Sequence, residues 1–333
     1  MRQPLSKRAA DQGRHLRNRT MIDMGGVAGL PRNTPPALAA AREESLTKYW
    51  KQEARFDRVA RVLRFEELTT SGTILIKFSV VDDGPFAFQP GQFISIPLED
   101  SRGFWQSPYA MMSAPNEKKT FDLLVKVVPD GHVARYLGSL VPGDDVAFRG
   151  PIGRVMCPPE DGRDLALFAT GVGVGPFLGL AYHLLGHGFE RGIRLFWGLR
   201  TEQDICLTKE LDGLATRYRN FSYELSLSKP SMDWPGRRGR ITEWAPQLIG
   251  DMGRYRFYLC GNGAMVEEMA GALSEAGVTM DLVYGEPYFK RYYRPDPIVV
   301  SDIARRFRPS SQLVLGLGDG ELFPIEQPVN RTV

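Results

Sequence analysis

Apolar and polar positions along the chain fall into two textures. Between residues 55 and 155 the apolar runs are short and often alternate with polar ones, at 59–63, 74–81, 92–97, 109–113 and 121–128. Turn residues separate them, including Asp82-Asp83-Gly84-Pro85 and Gln89-Pro90-Gly91. Regular short strands broken by such turns predict an antiparallel barrel. One helix-like stretch, 132–140, interrupts the series. A strand at 145–148 closes it, and Gly150-Pro151-Ile152-Gly153 leads out. From residue 164 the texture changes to alternating strand-like and helix-like runs. Strands are expected at 165–169, 193–198, 222–227 and 256–260, and helices at 177–185, 207–218, 242–249 and 264–276. That alternation predicts a parallel sheet covered by helices on both faces. The expected fold class is therefore β followed by α/β: a barrel over 55–155 and a parallel-sheet domain over 160–289.

The two ends differ from this body. Residues 1–20 carry Arg2, Lys7, Arg8, Arg14, Arg17 and Arg19 against one acid, Asp11, and a proline- and glycine-rich stretch follows. Residues 1–50 read as a flexible arm. A transit segment over 1–20 is the weaker reading, because Asp11 and Asp23 interrupt the basic pattern and serine is scarce. No apolar segment follows the charges, so a secretory signal is not expected. A short helix is expected near 37–51. Residues 290–333 form a C-terminal extension, with a helix expected near 301–307. No apolar run reaches the roughly 18 residues of a membrane span; an odd, sparse cysteine set fits a reducing compartment, so a cytoplasmic location is expected, or an organelle matrix if residues 1–20 are a transit segment.

Net charge is only +3 over 333 residues, which gives no whole-protein pull toward nucleic acid. Cys157, Cys206 and Cys260 are too widely spaced for a zinc or iron–sulfur ligand set, so no metal is expected. The chemistry concentrates at Asp164 to Pro176, DLALFATGVGVGP. An apolar strand ends in Thr170-Gly171-Val172-Gly173-Val174-Gly175-Pro176, and a second apolar run follows at once. Glycine permits positive φ and close backbone approach, and proline suits the first turn of a helix. The free N–H groups of that helix would favour a phosphate. A plain chain reversal is the competing reading, since the spacing departs from the dinucleotide fingerprint by placing Pro176 at its last position. A second glycine turn, Cys260-Gly261-Asn262-Gly263, follows the strand at 256–260. Ligands of parallel sheets bind beyond the carboxyl ends of the strands, and both turns lie there.

The ordered motifs resemble the ferredoxin–NADP reductase superfamily from about Arg55 to Phe289. Gln89-Pro90-Gly91-Gln92-Phe93 is similar to its strand entry. Ser107-Pro108-Tyr109-Ala110-Met111-Met112-Ser113-Ala114-Pro115 is similar to its flavin motif, usually Arg-x-Tyr-Ser. Gly131-His132-Val133-Ala134 stands where the family has Gly-x-x-Ser/Thr, and Gly150-Pro151-Ile152-Gly153 resembles its Gly-Pro-x-Gly. Thr170, Gly171, Val172, Gly173 and Pro176 match its nicotinamide-nucleotide loop. Cys260-Gly261-Asn262 and Glu286-Pro287-Tyr288-Phe289 resemble its late motifs.

The resemblance implies FAD on the barrel and NADPH or NADH on the parallel sheet. Hydride would pass from NAD(P)H to the flavin, and single electrons to a ferredoxin- or flavodoxin-like protein or another acceptor. It implies that Tyr109 lies against the flavin ring and that 131–134 faces the FAD pyrophosphate. Cys260 and Glu286 would stand at the nicotinamide as the catalytic pair. For these residues the plain readings are a barrel-core tyrosine, a buried structural thiol and a solvated loop acid. After the third strand of the sheet, Ser228, Lys229 and Arg238 or Arg240 resemble the family's 2′-phosphate site, which favours NADP over NAD. A solvated basic loop is the alternative there.

Three departures fall on the flavin. Ser107 stands in place of the arginine that pairs with the pyrophosphate, Ala110 in place of a hydroxyl near the flavin ring, and Ala134 in place of a second pyrophosphate hydroxyl. A bidentate charged contact is lost at 107. Arg135, Lys126 and the basic arm are candidates to compensate. These losses support an alternative function, a non-catalytic accessory or regulatory subunit of an electron-transfer complex with weak or no FAD binding. A third reading is the reductase component of an oxygenase or a flavin-supplying enzyme.

Overall fold

The computed structural model describes residues 58–289 apart from 101, 102, 117, 129 and 130, together with the backbone of two later strands, Val314–Leu317 and Glu321–Pro324. The expected arm at 1–50 and the expected helix near 301–307 lie outside the described residues.

Six strands form the first sheet: β1 (Arg58–Glu67), β2 (Thr73–Val80), β3 (Phe93–Asp100), β4 (Gly103–Ala110), β5 (Thr120–Lys126) and β6 (Asp145–Ile152). They pair antiparallel in the order β4-β3-β6-β1-β2-β5. A bridge between Met111 and Leu123 brings the two outer strands together, so the sheet curls into a barrel. Alternation along β2 sends Ile74, Ile76, Phe78 and Val80 inward and leaves Leu75, Lys77 and Ser79 partly exposed. Phe78 and Phe121 stack inside with ring centroids 5.2 Å apart. The helix α1 (His132–Leu137) plugs the barrel with Val133, Ala134 and Leu137. It stops at Gly138, short of the expected residue 140, and Ser139 N–H turns back to the Tyr136 carbonyl.

The second sheet is parallel across β10 (Arg237–Arg238), β9 (Phe221–Leu227), β8 (Ile193–Leu199), β7 (Asp164–Thr170), β11 (Tyr255–Asn262) and β12 (Val283–Phe289), in that order. β13 (Val314–Leu317) continues it parallel to β12, and β14 (Glu321–Pro324) pairs antiparallel with β13. The apolar face under α2 (Val174–Gly186) and α3 (Thr208–Arg217) forms one core. The opposite face packs on α4 (Ile241–Trp244) and α5 (Gly263–Glu275).

Three further expectations change. The strand expected at 109–113 runs instead over β4, ending at Ala110, because it is the hairpin partner of β3 along its whole length. The helix expected at 242–249 is only the short α4 followed by a 3₁₀ turn, Pro246–Leu248. Pro246 has no N–H to continue the α-helical ladder. Glu286-Pro287-Tyr288-Phe289 lies on a sheet strand, β12, that the alternation pattern did not predict.

The barrel and the parallel sheet share apolar core. Met112 and Leu124 from the barrel and Met156 from the connection pack with α2. A Cβ on Gly179 would stand 2.7 Å from the Met112 carbonyl oxygen, so α2 meets the barrel backbone at a point only glycine allows. A polar clamp lies beside it: Lys126 Nζ is 3.0 Å from Asp204 Oδ1, and Ser71 Oγ donates to the same carboxylate at 2.8 Å.

Candidate functional site

Two glycine turns interlock at the carboxyl edge of the sheet. After β7 the chain makes a 3₁₀ turn, Gly171–Gly173, and enters α2 with no side chain capping the helix. Gly171 has φ +55° with open space where a Cβ would stand. Gly173 is the opposite case, since its Cβ would come 2.5 Å from the Cys260 carbonyl oxygen. Gly261, at φ +129°, would drive a Cβ to 2.6 Å from the Thr170 carbonyl oxygen. Asn262 N–H donates to Thr170 Oγ1 at 2.9 Å, and Asn262 Oδ1 caps α5 by accepting from Ala264 N–H at 3.0 Å. Trp197 Nε1 fixes the turn by donating to the Gly171 carbonyl at 2.9 Å. No side chain caps the start of α2, a helix of 13 residues, although Val174 N–H turns back to the 3₁₀ carbonyls and Pro176 has no N–H to offer. That chemistry fits the pyrophosphate of a nicotinamide dinucleotide.

Beside these turns lies a buried polar cluster. In the parallel register Cys260 pairs with Glu286 and Tyr258 with Tyr284, so these side chains share one sheet face. Cys260 is fully buried and hydrogen-bonded to the Tyr288 hydroxyl. Burial pushes its thiol well above the ordinary value; the Glu286 charge adds to this and the Tyr288 bond opposes it. The thiol is therefore protonated at neutral pH. Burial also lifts the Glu286 carboxyl to about 7, against the opposing pull of the Tyr284 hydrogen bond and the Arg154 charge. Tyr284 OH donates to Glu286 Oε2 at 3.5 Å. Arg154 Cζ lies 4.5 Å from the Tyr284 ring centroid. A cleft of about 540 Å³ is lined by Arg154, Arg256, Tyr258 and Tyr284 among others, towards the amino ends of β11 and β12, and neither Cys260 nor Glu286 lines it.

The third group lies at the ends of β8 and β9. Ser228 and Lys229 are exposed, and their N–H groups are held by the Leu199 and Arg200 carbonyls. Arg238 is exposed and donates to the Met232 and Trp234 carbonyls, which ties it to its own loop. Arg240 stands 3.2 Å from Glu268 on α5. Lys229 is thus the candidate 2′-phosphate cation for which no anionic partner is seen among the described residues.

On the barrel, Ser107, Pro108, Tyr109 and Ala110 close β4 opposite Ile96, Ser95, Ile94 and Phe93. Tyr109 is half-buried and Ser107 buried. Gly131 is the residue before α1, and His132 stacks on Trp105 with ring centroids 3.7 Å apart. Ala134 is buried in the apolar barrel core, where its methyl packs against apolar neighbours. Tyr109, half-buried at the end of β4, is the aromatic side chain here that fits a flavin ring, and Ser107 offers no charge to its pyrophosphate. Lys126 does not compensate: it is committed to Asp204 and Ser71 at the clamp. Arg135 is exposed on α1, and the basic arm lies outside the described residues.

Several residues at the site escaped the sequence reading. Trp105 lies two positions before Ser107 on the same face of β4, a spacing that could have found it. Trp197 and Arg154 carry no comparable signal, because each reaches its partner only through the tertiary fold. Among the described residues no cluster of His, Cys, Asp and Glu could hold a metal, and no helix is long and apolar enough to cross a membrane.

Comparisons with known proteins agree with this geometry. Residues 61–156 match the family model of an oxidoreductase FAD-binding domain, and residues 167–270 that of an oxidoreductase NAD-binding domain. The chain is 31% identical over 221 residues to ferredoxin–NADP reductase B of Sorangium cellulosum, covering 64% of this chain and 90% of that protein. It is 27% identical over 235 residues to the anthranilate 1,2-dioxygenase electron transfer component of Acinetobacter baylyi, covering 70% of this chain and 68% of that protein. Among solved structures, the cytochrome P450 reductase of Amycolatopsis superposes with a TM-score of 0.63 at 25% identity, covering 69% of each chain. With both family models matched in order and a reductase relative covered almost end to end, the chain belongs to the ferredoxin–NADP reductase superfamily, as an electron-transferring oxidoreductase that uses FAD and NAD(P).

Proposed function

We propose that this chain takes hydride from NADPH and delivers single electrons to a ferredoxin-type protein, with residues 55–155 as its flavin unit and 160–289 as its nucleotide unit. The observation that carries this reading is the convergence of the two interlocked glycine turns and the Cys260–Glu286 pair at one edge of the sheet. When bound, FAD supplies the two-electron to one-electron conversion. The remaining roles belong to side chains and backbone of this chain. Thr170, Gly171, Val172, Gly173 and Pro176 seat the dinucleotide pyrophosphate at the head of α2. Gly261 keeps the second turn close enough to complete that surface.

Cys260, protonated and buried, presents a compact polarisable wall to the nicotinamide. Glu286 holds or releases a proton near neutral pH, a property matched to a step that moves hydride and protons together. Ser228, Lys229 and Arg238 select NADPH through its 2′-phosphate. Tyr109 packs against the flavin ring, with Ser107, Pro108 and Ala110 beside it and Gly131, His132, Val133 and Ala134 bordering the pyrophosphate. A ferredoxin-type acceptor is favoured by relatives named as ferredoxin–NADP reductase B and as the ferredoxin–NAD(P)+ reductase component of naphthalene dioxygenase/salicylate hydroxylase systems.

The test is NADPH-driven reduction of a plant-type ferredoxin compared with a flavodoxin, in parent protein and Cys260→Ala. The reading expects ferredoxin reduction in the parent and slower hydride transfer in the folded variant. Ser107, Ala110 and Ala134 favour a second reading, an accessory subunit that holds FAD weakly. Failure to retain or take up FAD would favour it.

A further inference from the structure

The end of β6 and the residues that follow carry a cation into the buried cluster. Gly150-Pro151-Ile152-Gly153 ends at Arg154, and the segment is clamped to the turn that enters β3. Met156 N–H donates to the Pro90 carbonyl at 2.8 Å, and Gln92 Nε2 donates to the Gly153 carbonyl at 3.4 Å. A Cβ on Gly91 would stand 2.9 Å from the Arg154 carbonyl oxygen, so the two backbones meet at glycine. The position of Arg154 is therefore set by the barrel. Its side chain nevertheless lies against β12 of the parallel sheet, with Cζ 4.5 Å from the Tyr284 ring centroid. The hydroxyl of that same tyrosine reaches Glu286 Oε2 at 3.5 Å.

We propose that Arg154 is a positioning residue that favours the ionised form of the Glu286 carboxyl across the junction between barrel and sheet, with Tyr284 as the spacer between them. The groups facing Glu286 are Tyr284 and Tyr288 on its own strand, Cys260 and Tyr258 on β11, and Arg154 from the barrel side. Four of these five are neutral at neutral pH, because burial raises the tyrosine hydroxyls and the Cys260 thiol. Arg154 is the one cation acting on the carboxyl among the described residues. Burial pulls its guanidinium below the ordinary value, the Glu286 charge opposes this, and an arginine still carries its charge at neutral pH. Withdrawing that charge with the junction still closed favours the protonated form of Glu286, which links a barrel residue to the protonation of an acid on the sheet. The relevance of this link to turnover rests on the proposed place of Glu286 beside the nicotinamide.

The experiment is an infrared pH titration of the full-length protein as purified, without NAD(P)H, following the protonated-carboxyl band that disappears in Glu286→Gln. Arg154→Met keeps an apolar stem over Tyr284 and removes the charge. The expected result is a rise of about one pH unit in the Glu286 midpoint in Arg154→Met, with most of the parent midpoint restored in Arg154→Lys. An unchanged midpoint in Arg154→Met overturns the proposal, as does an Arg154→Lys midpoint equal to that of Arg154→Met, since the effect would then not be one of charge. Flavin reduction by NADPH is measured alongside in Glu286→Gln. An unchanged rate there removes Glu286 from the hydride site and leaves the Arg154 result standing on its own.

Discussion

Glu286→Gln is expected to stabilise this protein at pH 8 and to leave it nearly unchanged at pH 4. The Glu286 carboxyl is buried on β12 and titrates at about 7 in the folded chain, against an ordinary value of 4.5. The folded state therefore binds this proton more tightly than the unfolded state. Its favourable contribution is fully present below pH 4.5 and is lost as the pH rises towards 7. Each unit is worth ~1.4 kcal/mol, so the difference of about 2.5 units amounts to about 3 kcal/mol at pH 8. Glutamine keeps the shape and an acceptor for the Tyr284 hydroxyl, and it carries no charge to desolvate. Denaturant unfolding of both proteins at a series of pH values from 4 to 8 reads the effect. The stability difference should grow across pH 4.5–7 and then level off. A difference that stays flat from pH 4 to 8 would refute the reasoning, because the carboxyl would then titrate alike in both states.

Other substitutions probe the same site. Gly173→Ala should destabilise by about 1–3 kcal/mol and abolish nucleotide binding, because its Cβ meets the Cys260 carbonyl at 2.5 Å. Gly171→Ala has open space and should cost only the ~1–2 kcal/mol of a left-handed backbone; thermal melts and nucleotide titrations of the two variants check the contrast. Tyr109→Ala should weaken FAD retention by about tenfold through lost ring stacking, read by flavin released on gel filtration. Lys229→Ala should raise the apparent NADPH constant and leave the NADH constant unchanged in steady-state kinetics. Arg240→Ala should do less, since Arg240 already faces Glu268 at 3.2 Å.

The barrel and the parallel sheet were legible because their apolar periods differ and because glycine turns mark the strand ends. Element limits were harder. β4 starts at Gly103 through pairing with β3, a tertiary cause that no local pattern carries. Likewise β12 was missed because Gly285 and Pro287 weaken its strand signature, while its parallel pairing with β11 holds it in the sheet. Cys260 and Glu286 could be named separately from their motifs, but their register opposite one another is a property of the sheet. Lys126 illustrates the reverse error. A lysine near the expected flavin looked available to a phosphate, yet the fold places Asp204 beside it. Arg154 had no motif of its own, and its meaning comes from a barrel segment laid against a strand of the other sheet.

The central claim is that hydride passes from a nicotinamide nucleotide to a flavin held by this chain, despite Ser107, Ala110 and Ala134. The most direct measurement is the visible absorption spectrum of the purified protein, reconstituted with FAD if colourless, during anaerobic titration with NADPH and then NADH. The account predicts a bound flavin whose bands bleach on addition of NADPH, with NADH less effective at equal concentration. A protein that takes up no FAD, or whose bound flavin stays oxidised with both nucleotides, would contradict it.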